Sequence, residues 1–227
     1  MAPPEPAAAT LCFLQEEIHA INAVRAPPVL DFLVGRSRAR ANGSDPRAVE
    51  ELLLLQGEHW LDVGLFLAPT VLAAVAAAGA RPAVHRHFAR AWLEGITAAA
   101  EGISHFVYLA TRAAEGQRMS LLELELQAEV DKFAVLLLPT WRQEGRRRAR
   151  LSRGLRRRLF EQVRYLDHLD EEELHRYRTA NRLAAGYARW LEQRFVGPGD
   201  REGFLRELRI TYRRGTTDKA AYLASRS

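Results

Sequence analysis

Three pairs of residues in this chain have the type and spacing to hold a metal: Glu16/His19 and Glu172/His175, each three apart, and Glu101/His105, four apart. Residues three or four apart share one face of a helix. Glu-x-x-His pairs on facing helices, joined by single glutamates from two others, build the di-iron and di-manganese carboxylate sites of helical bundles. The chemistry would be that of a metal-dependent oxidoreductase with iron or manganese as cofactor. Glu58, Glu94, Glu101, Glu125 and Glu129 could supply the single carboxylates, and nothing in the sequence selects among them. With 20 Glu and 7 His in 227 residues, chance alone gives about 0.6 Glu-x-x-His pairs, so two is a small excess.

The order of these pairs departs from the ferritin-like pattern, whose motifs fall on the second and fourth core helices. Here Glu16/His19 lies on the first predicted helix. Glu172/His175 lies in the acidic run Asp170-Glu171-Glu172-Glu173, where carboxylates suit the positive end of a helix dipole. A further polar stripe, His87, Glu94, Glu101, His105, Tyr108 and Arg112, follows one face of a long predicted helix. Turned inward, it would form a polar pocket suited to proton transfer. The default for such a stripe is to face water.

The other chemistry-bearing feature is charge. Residues 1–140 carry 11 Arg and Lys against 16 Asp and Glu, whereas residues 141–227 carry 22 against 12. Nine arginines and one acid, Glu144, fall between Arg142 and Arg158. Such a block meets something acidic. Three readings follow: contact with nucleic acid, contact with an acidic protein or anionic membrane surface, and internal pairing with Glu123, Glu125, Glu129 and Asp131 on the preceding helix. The short connection favours internal pairing, because opposite charges attract at that range. Trp141 and Phe160 only flank the block, and no helix-turn-helix accompanies it. Only Lys132 and Lys219 are lysines. Abundant Arg and Ala together match a GC-rich, bacterial-like genome, so the arginine excess alone is not a motif.

No Gly-rich phosphate loop, Gly-x-Ser-x-Gly, His-Glu-x-x-His or Cys-x-x-Cys is present, which argues against the common nucleotide-dependent and zinc enzymes. The single Cys12 excludes an intrachain disulfide and fits a reducing, cytoplasmic setting. Beside Leu11, Phe13 and Leu14 it reads as a small core residue. Residues 63–80 are uncharged and near spanning length, but Pro69-Thr70 interrupts them, so a buried helical pair is expected rather than a transmembrane span.

Helical spacing runs through the whole chain, and strand signals are nearly absent. Helices are expected over about 8–24, 29–39, 45–69 (opened by Asp45 and Pro46), 70–78, 82–114, 120–139, 152–167, 171–196 and 200–214. Gly95, Ala99 and Gly102 on the long helix would admit a close neighbour. The expected fold is all-α: a single multi-helix bundle with a long central helix over about 82–114 and a smaller C-terminal helical part. Residues 1–10 read as a disordered lead-in and 11–227 as one domain, with any sub-division near 140–152. The leading functional expectation is a non-catalytic helical interaction protein that engages an acidic partner through Arg146, Arg147, Arg148, Arg150, Arg156, Arg157 and Arg158. The metal-dependent oxidoreductase, with Glu16, His19, Glu101, His105, Glu172 and His175 as ligand pool, is the alternative.

Overall fold

The computed structural model describes residues 3–57, 61–79, 90–142, 145–165 and 169–226. Helices dominate, and a small three-stranded sheet accompanies them. The chain divides into two compact units, Met1–Ala20 with Val24–Thr111 and Ile21–Ala23 with Arg112–Ser227. The division falls inside the long helix rather than near 140–152.

In the first unit, α1 (Glu5–Asn22) starts three residues earlier than expected, and residues 5–10 belong to it. Ala7 and Thr10 are buried, and Thr10 Oγ1 lies 3.1 Å from the Val75 carbonyl oxygen. Cys12 is exposed, not a core residue. The buried face of α1 follows Ala7, Leu11, Leu14 and Ile18, and Cys12 points away from it with Glu16 and Ala20. Gln15 fixes the chain beyond the helix, donating to the Pro27 carbonyl at 2.6 Å and accepting from the Val29 amide at 2.9 Å.

The sheet is the main departure from expectation. After a 3-10 turn at Val29–Phe32 come β1 (Leu33–Val34), α2 (Arg36–Ala41), β2 (Glu50–Gln56) and β3 (Leu61–Leu67). β1 pairs parallel to β3, and β2 pairs antiparallel with Glu50 opposite Leu67 and Gln56 opposite Leu61. Asp45 does not cap a helix. Its carboxylate accepts from the Arg47 amide two residues on, at 2.7 Å, and closes a turn. Short apolar runs such as Leu52–Leu55 fit a strand or a buried helix equally, and pairing partners decide between them.

α3 (Pro69–Ala78) starts with proline at its first position and ends at Gly79, whose φ of +72° suits glycine. α4 (Arg90–Ala114) is the long helix, and its small residues are where neighbours come close. A Cβ on Gly95 would sit 2.3 Å from the Ala74 Cβ, and one on Gly102 would sit 2.7–2.8 Å from Glu50 and Leu65 side-chain atoms. Among the described residues no helix is long and apolar enough to cross a membrane.

The second unit is helical throughout its described residues. It comprises the end of α4 from Arg112, α5 (Leu121–Leu137), a 3-10 turn at Leu138–Arg142 and α6 (Gly145–Arg156), continued by a π-helical turn over Arg157–Glu161. α7 (Glu171–Leu191) ends in a second π turn, and α8 (Arg201–Tyr212) and α9 (Thr216–Ala224) follow. Side-chain caps start three of these helices: Ser120 for α5, an Asp170/Glu173 capping box for α7 and Asp200 for α8.

α5 is buried around its whole circumference. Leu126, Val130, Phe133 and Leu137 pack as expected, but Glu123, Gln127 and Asp131, at i, i+4 and i+8, are buried too. Buried charge is tolerated only when paired and hydrogen-bonded. Arg112 meets Glu123 at 3.3 Å and donates to the carbonyls of Tyr212 and Arg214 at 3.0 and 2.7 Å. Gln127 accepts from Lys219 Nζ at 2.8 Å and donates to Asp131 at 2.9 Å, and Asp131 also accepts from Asn22 at 2.9 Å. Lys219 is fully buried. Desolvation lowers its ammonium from 10.5 to about 7, and Arg112 adds to this, against the opposing pull of Glu123 and Asp131.

Between about pH 7 and 10.5 the unfolded chain therefore holds a proton on this lysine that the folded chain has lost. Stability contributed by this group rises with pH across that window and is least below it. Urea midpoints measured at pH 7 and pH 9 should increase for the wild type and rise less for Lys219→Met. Identical slopes in the two proteins would show that Lys219 titrates normally.

Candidate functional site

α6 carries most of the arginine block, and its two sides treat arginine differently. Ser152, Leu155 and Leu159 mark the buried side, and Arg148 and Arg156 lie four residues either side of Ser152 on that same side. Arg148 donates from Nε to the Val196 carbonyl at 3.0 Å, and its guanidinium stacks 5.6 Å from the Trp141 ring. Gly199, at φ +89°, leaves room for it: a Cβ there would fall 2.7 Å from Arg148 Nη2. Arg156 bonds Glu192 and Glu161 at 2.8 and 2.7 Å, while Ser152 donates to the other Glu192 oxygen at 2.6 Å. Burial disfavours the Arg156 cation, but the two carboxylates outweigh it and its pKa stays above the usual arginine value.

The opposite side is a row of exposed guanidiniums. Arg146, Arg150 and Arg153 on α6 and Arg157 in the π turn follow at i, i+4, i+7 and i+11, with Arg147 and Arg158 exposed beside them. Eleven residues of helix extend about 16 Å at 1.5 Å each. Among the described residues Arg146, Arg150 and Arg153 make no ion pair, and Arg157 reaches only Glu161, at 3.6 Å. Two of the seven arginines expected to bind a partner, Arg148 and Arg156, are thus structural. Arg153, left out of that set, belongs to the exposed row. The signal was the position of Ser152, Leu155 and Leu159, which fixes the inward face.

The three pairs of the metal-ligand pool have different surroundings. Glu16 and His19 adjoin at 3.6 Å, but Glu16 is exposed and pairs with Arg25 at 2.8 Å. His19 Nε2 accepts the Ala26 amide at 3.2 Å, and burial holds the ring below its usual pKa despite Glu16. Its nitrogens thus already tie α1 to the chain that follows. His105 is buried on α4 with Nδ1 3.5 Å from Glu50 on β2, and Glu101 is half-buried one turn before it. The polar stripe on α4 therefore turns inward at His105, Tyr108 and Arg112 and outward at Glu94; His87 lies outside the described residues, as does Glu58. Glu172 and His175 are exposed on the capped start of α7. Among the described residues neither Glu16/His19 nor Glu172/His175 joins a group of three or more ligand-type side chains.

The two sides of α6 should separate on mutation. Arg156→Ala leaves the half-buried Glu192 without its guanidinium and should cost roughly 2 kcal/mol of stability. Arg150→Ala should change it by less than about 0.5 kcal/mol. Urea denaturation of both variants checks this, and equal costs would contradict the sidedness of the helix.

No protein-family model matches the chain, and neither does any curated protein or solved structure.

Proposed function

We propose that this protein is a non-catalytic helical interaction protein, and that the outward face of α6 engages an acidic partner. The observation that supports this most directly is the row Arg146, Arg150, Arg153 and Arg157, exposed along one face, the first three without a carboxylate partner among the described residues. Four like charges on adjacent turns repel one another. Their repulsion is relieved by a polyanion that lies along the row, and the local potential attracts one. The inward arginines hold the helix in place, so the row is presented on a fixed support.

The test is fluorescence anisotropy with labelled duplex DNA, heparin and polyglutamate, each at low and moderate salt. Wild-type protein should bind at least one polyanion, and affinity should fall with salt. For duplex DNA, neutralising three or four phosphates gives a log–log slope of about −3 to −4. The triple variant Arg146→Glu, Arg150→Glu, Arg153→Glu should lose at least tenfold in affinity with an unchanged urea midpoint. A triple variant that binds like the wild type, or a wild type that binds none of the three at low salt, removes the reading. Near-stoichiometric iron or manganese in the purified protein, lost in His105→Ala, would move the assignment to the oxidoreductase alternative.

A further inference from the structure

Away from α6, the second unit contains a small aromatic and acidic enclosure that neither the core nor the arginine row explains. Trp190 on α7 and Tyr222 on α9 form its walls, and Glu207 on α8 forms its floor. Glu207 is buried, and its Oε1 accepts the Tyr222 hydroxyl at 2.7 Å and the Tyr187 hydroxyl at 3.3 Å. Tyr187 stacks on Trp190 with centroids 5.9 Å apart, and Phe195 meets Trp190 edge-on at 5.5 Å, so the indole is held in orientation from two sides. Two aromatic faces over one position, with a buried carboxylate beside it, are the surroundings that an organic cation selects.

One cation already fills the space. The Arg226 guanidinium carbon lies 3.5 Å from the Tyr222 centroid and 5.2 Å from that of Trp190, with Nε 3.4 Å from Glu207 Oε1. It fits imperfectly. Arg226 Nε is buried but makes no hydrogen bond, a state that costs free energy. Arg214 places a second guanidinium 3.7 Å from the same Tyr222 ring, so two like charges lie against one aromatic side chain. Arg226 also follows the end of α9, which is anchored by Lys219 and Tyr222. Its side chain can leave without unwinding the helix.

We propose that Trp190, Tyr222 and Glu207 form a binding site for an organic ammonium ion, held shut by the chain's own Arg226. A methylated or quaternary ammonium has few or no N–H groups to satisfy, gains from the same aromatic faces, and takes Glu207 as its counter-charge. It avoids the unmet Nε–H that makes Arg226 a poor occupant. This site is independent of the arginine row on α6, and either can stand without the other.

Tetramethylammonium is the probe, titrated by calorimetry into full-length protein at constant ionic strength, with sodium as the reference cation. Arg226→Ala should bind it at least tenfold more tightly than the wild type. Adding Trp190→Leu to that variant should abolish the gain, and Glu207→Gln should weaken it. A folded Arg226→Ala variant, with wild-type circular dichroism and urea midpoint, that shows no saturable binding up to about 10 mM overturns the proposal. So does equal binding by variant and wild type. Should Arg226→Ala lose its fold, Arg226→Gln keeps much of the aliphatic stem and is judged by the same outcomes.

Discussion

The second unit is organised around charge that cannot reach water. Glu123, Gln127 and Asp131 lie on one stripe of a helix whose other faces are also buried, so each must be answered from within the protein. Arg112 answers Glu123 through Nη2, which also meets the carbonyls at the end of α8 and beyond it. Lys219 answers Gln127 from α9, and Asn22 reaches Asp131 from the end of α1. Segments nearly 200 residues apart in sequence are thus placed by one helix. Apolar contact alone would let these helices slide, since hydrophobic burial is non-directional. Each hydrogen bond has a single geometry, and leaving one unmade in the interior costs more than making it gains.

The same logic separates the arginines by task. Arg112 and Arg156 each use several donors of one guanidinium on different acceptors, and Arg148 combines a backbone hydrogen bond with stacking on Trp141. Lysine has one charged nitrogen and no flat face, so it cannot replace arginine at these places. A genomic bias toward arginine is therefore not needed to explain the buried ones. It remains sufficient for the exposed row, where charge and length are all that the fold requires.

Much of the helical part was legible because caps and apolar spacing are local. Ser120 and Asp200 start the helices expected over about 120–139 and 200–214, and Gly95 and Gly102 admit close neighbours. The sheet was not legible, because Leu52–Leu55 and Val63–Leu67 acquire their meaning from pairing with each other and with Leu33–Val34. The partners of the acidic stripe of α5 were not legible for a related reason: the short connection pointed to the arginine block, but Glu123 meets Arg112, and Asp131 accepts from Asn22 and Gln127. Nothing within residues 121–137 announces that Arg112 and Lys219 will arrive from elsewhere.

The two candidate sites differ in the same way. The arginine row is written in consecutive turns of one helix, so the sequence shows it, and the inward face marked by Ser152 and Leu155 shows which arginines to subtract. The enclosure around Arg226 draws on α7, α8 and α9, and no spacing within any of them distinguishes Trp190, Glu207 or Tyr222 from ordinary interior residues. What distinguishes them is that three elements converge on one guanidinium, that of Arg226. Arg226 approaches Glu207 at 3.4 Å and leaves its Nε without a hydrogen bond. A clasp built solely to hold the chain gains nothing from that looseness. A clasp that must yield its place to another cation needs an occupant whose own hold is weak.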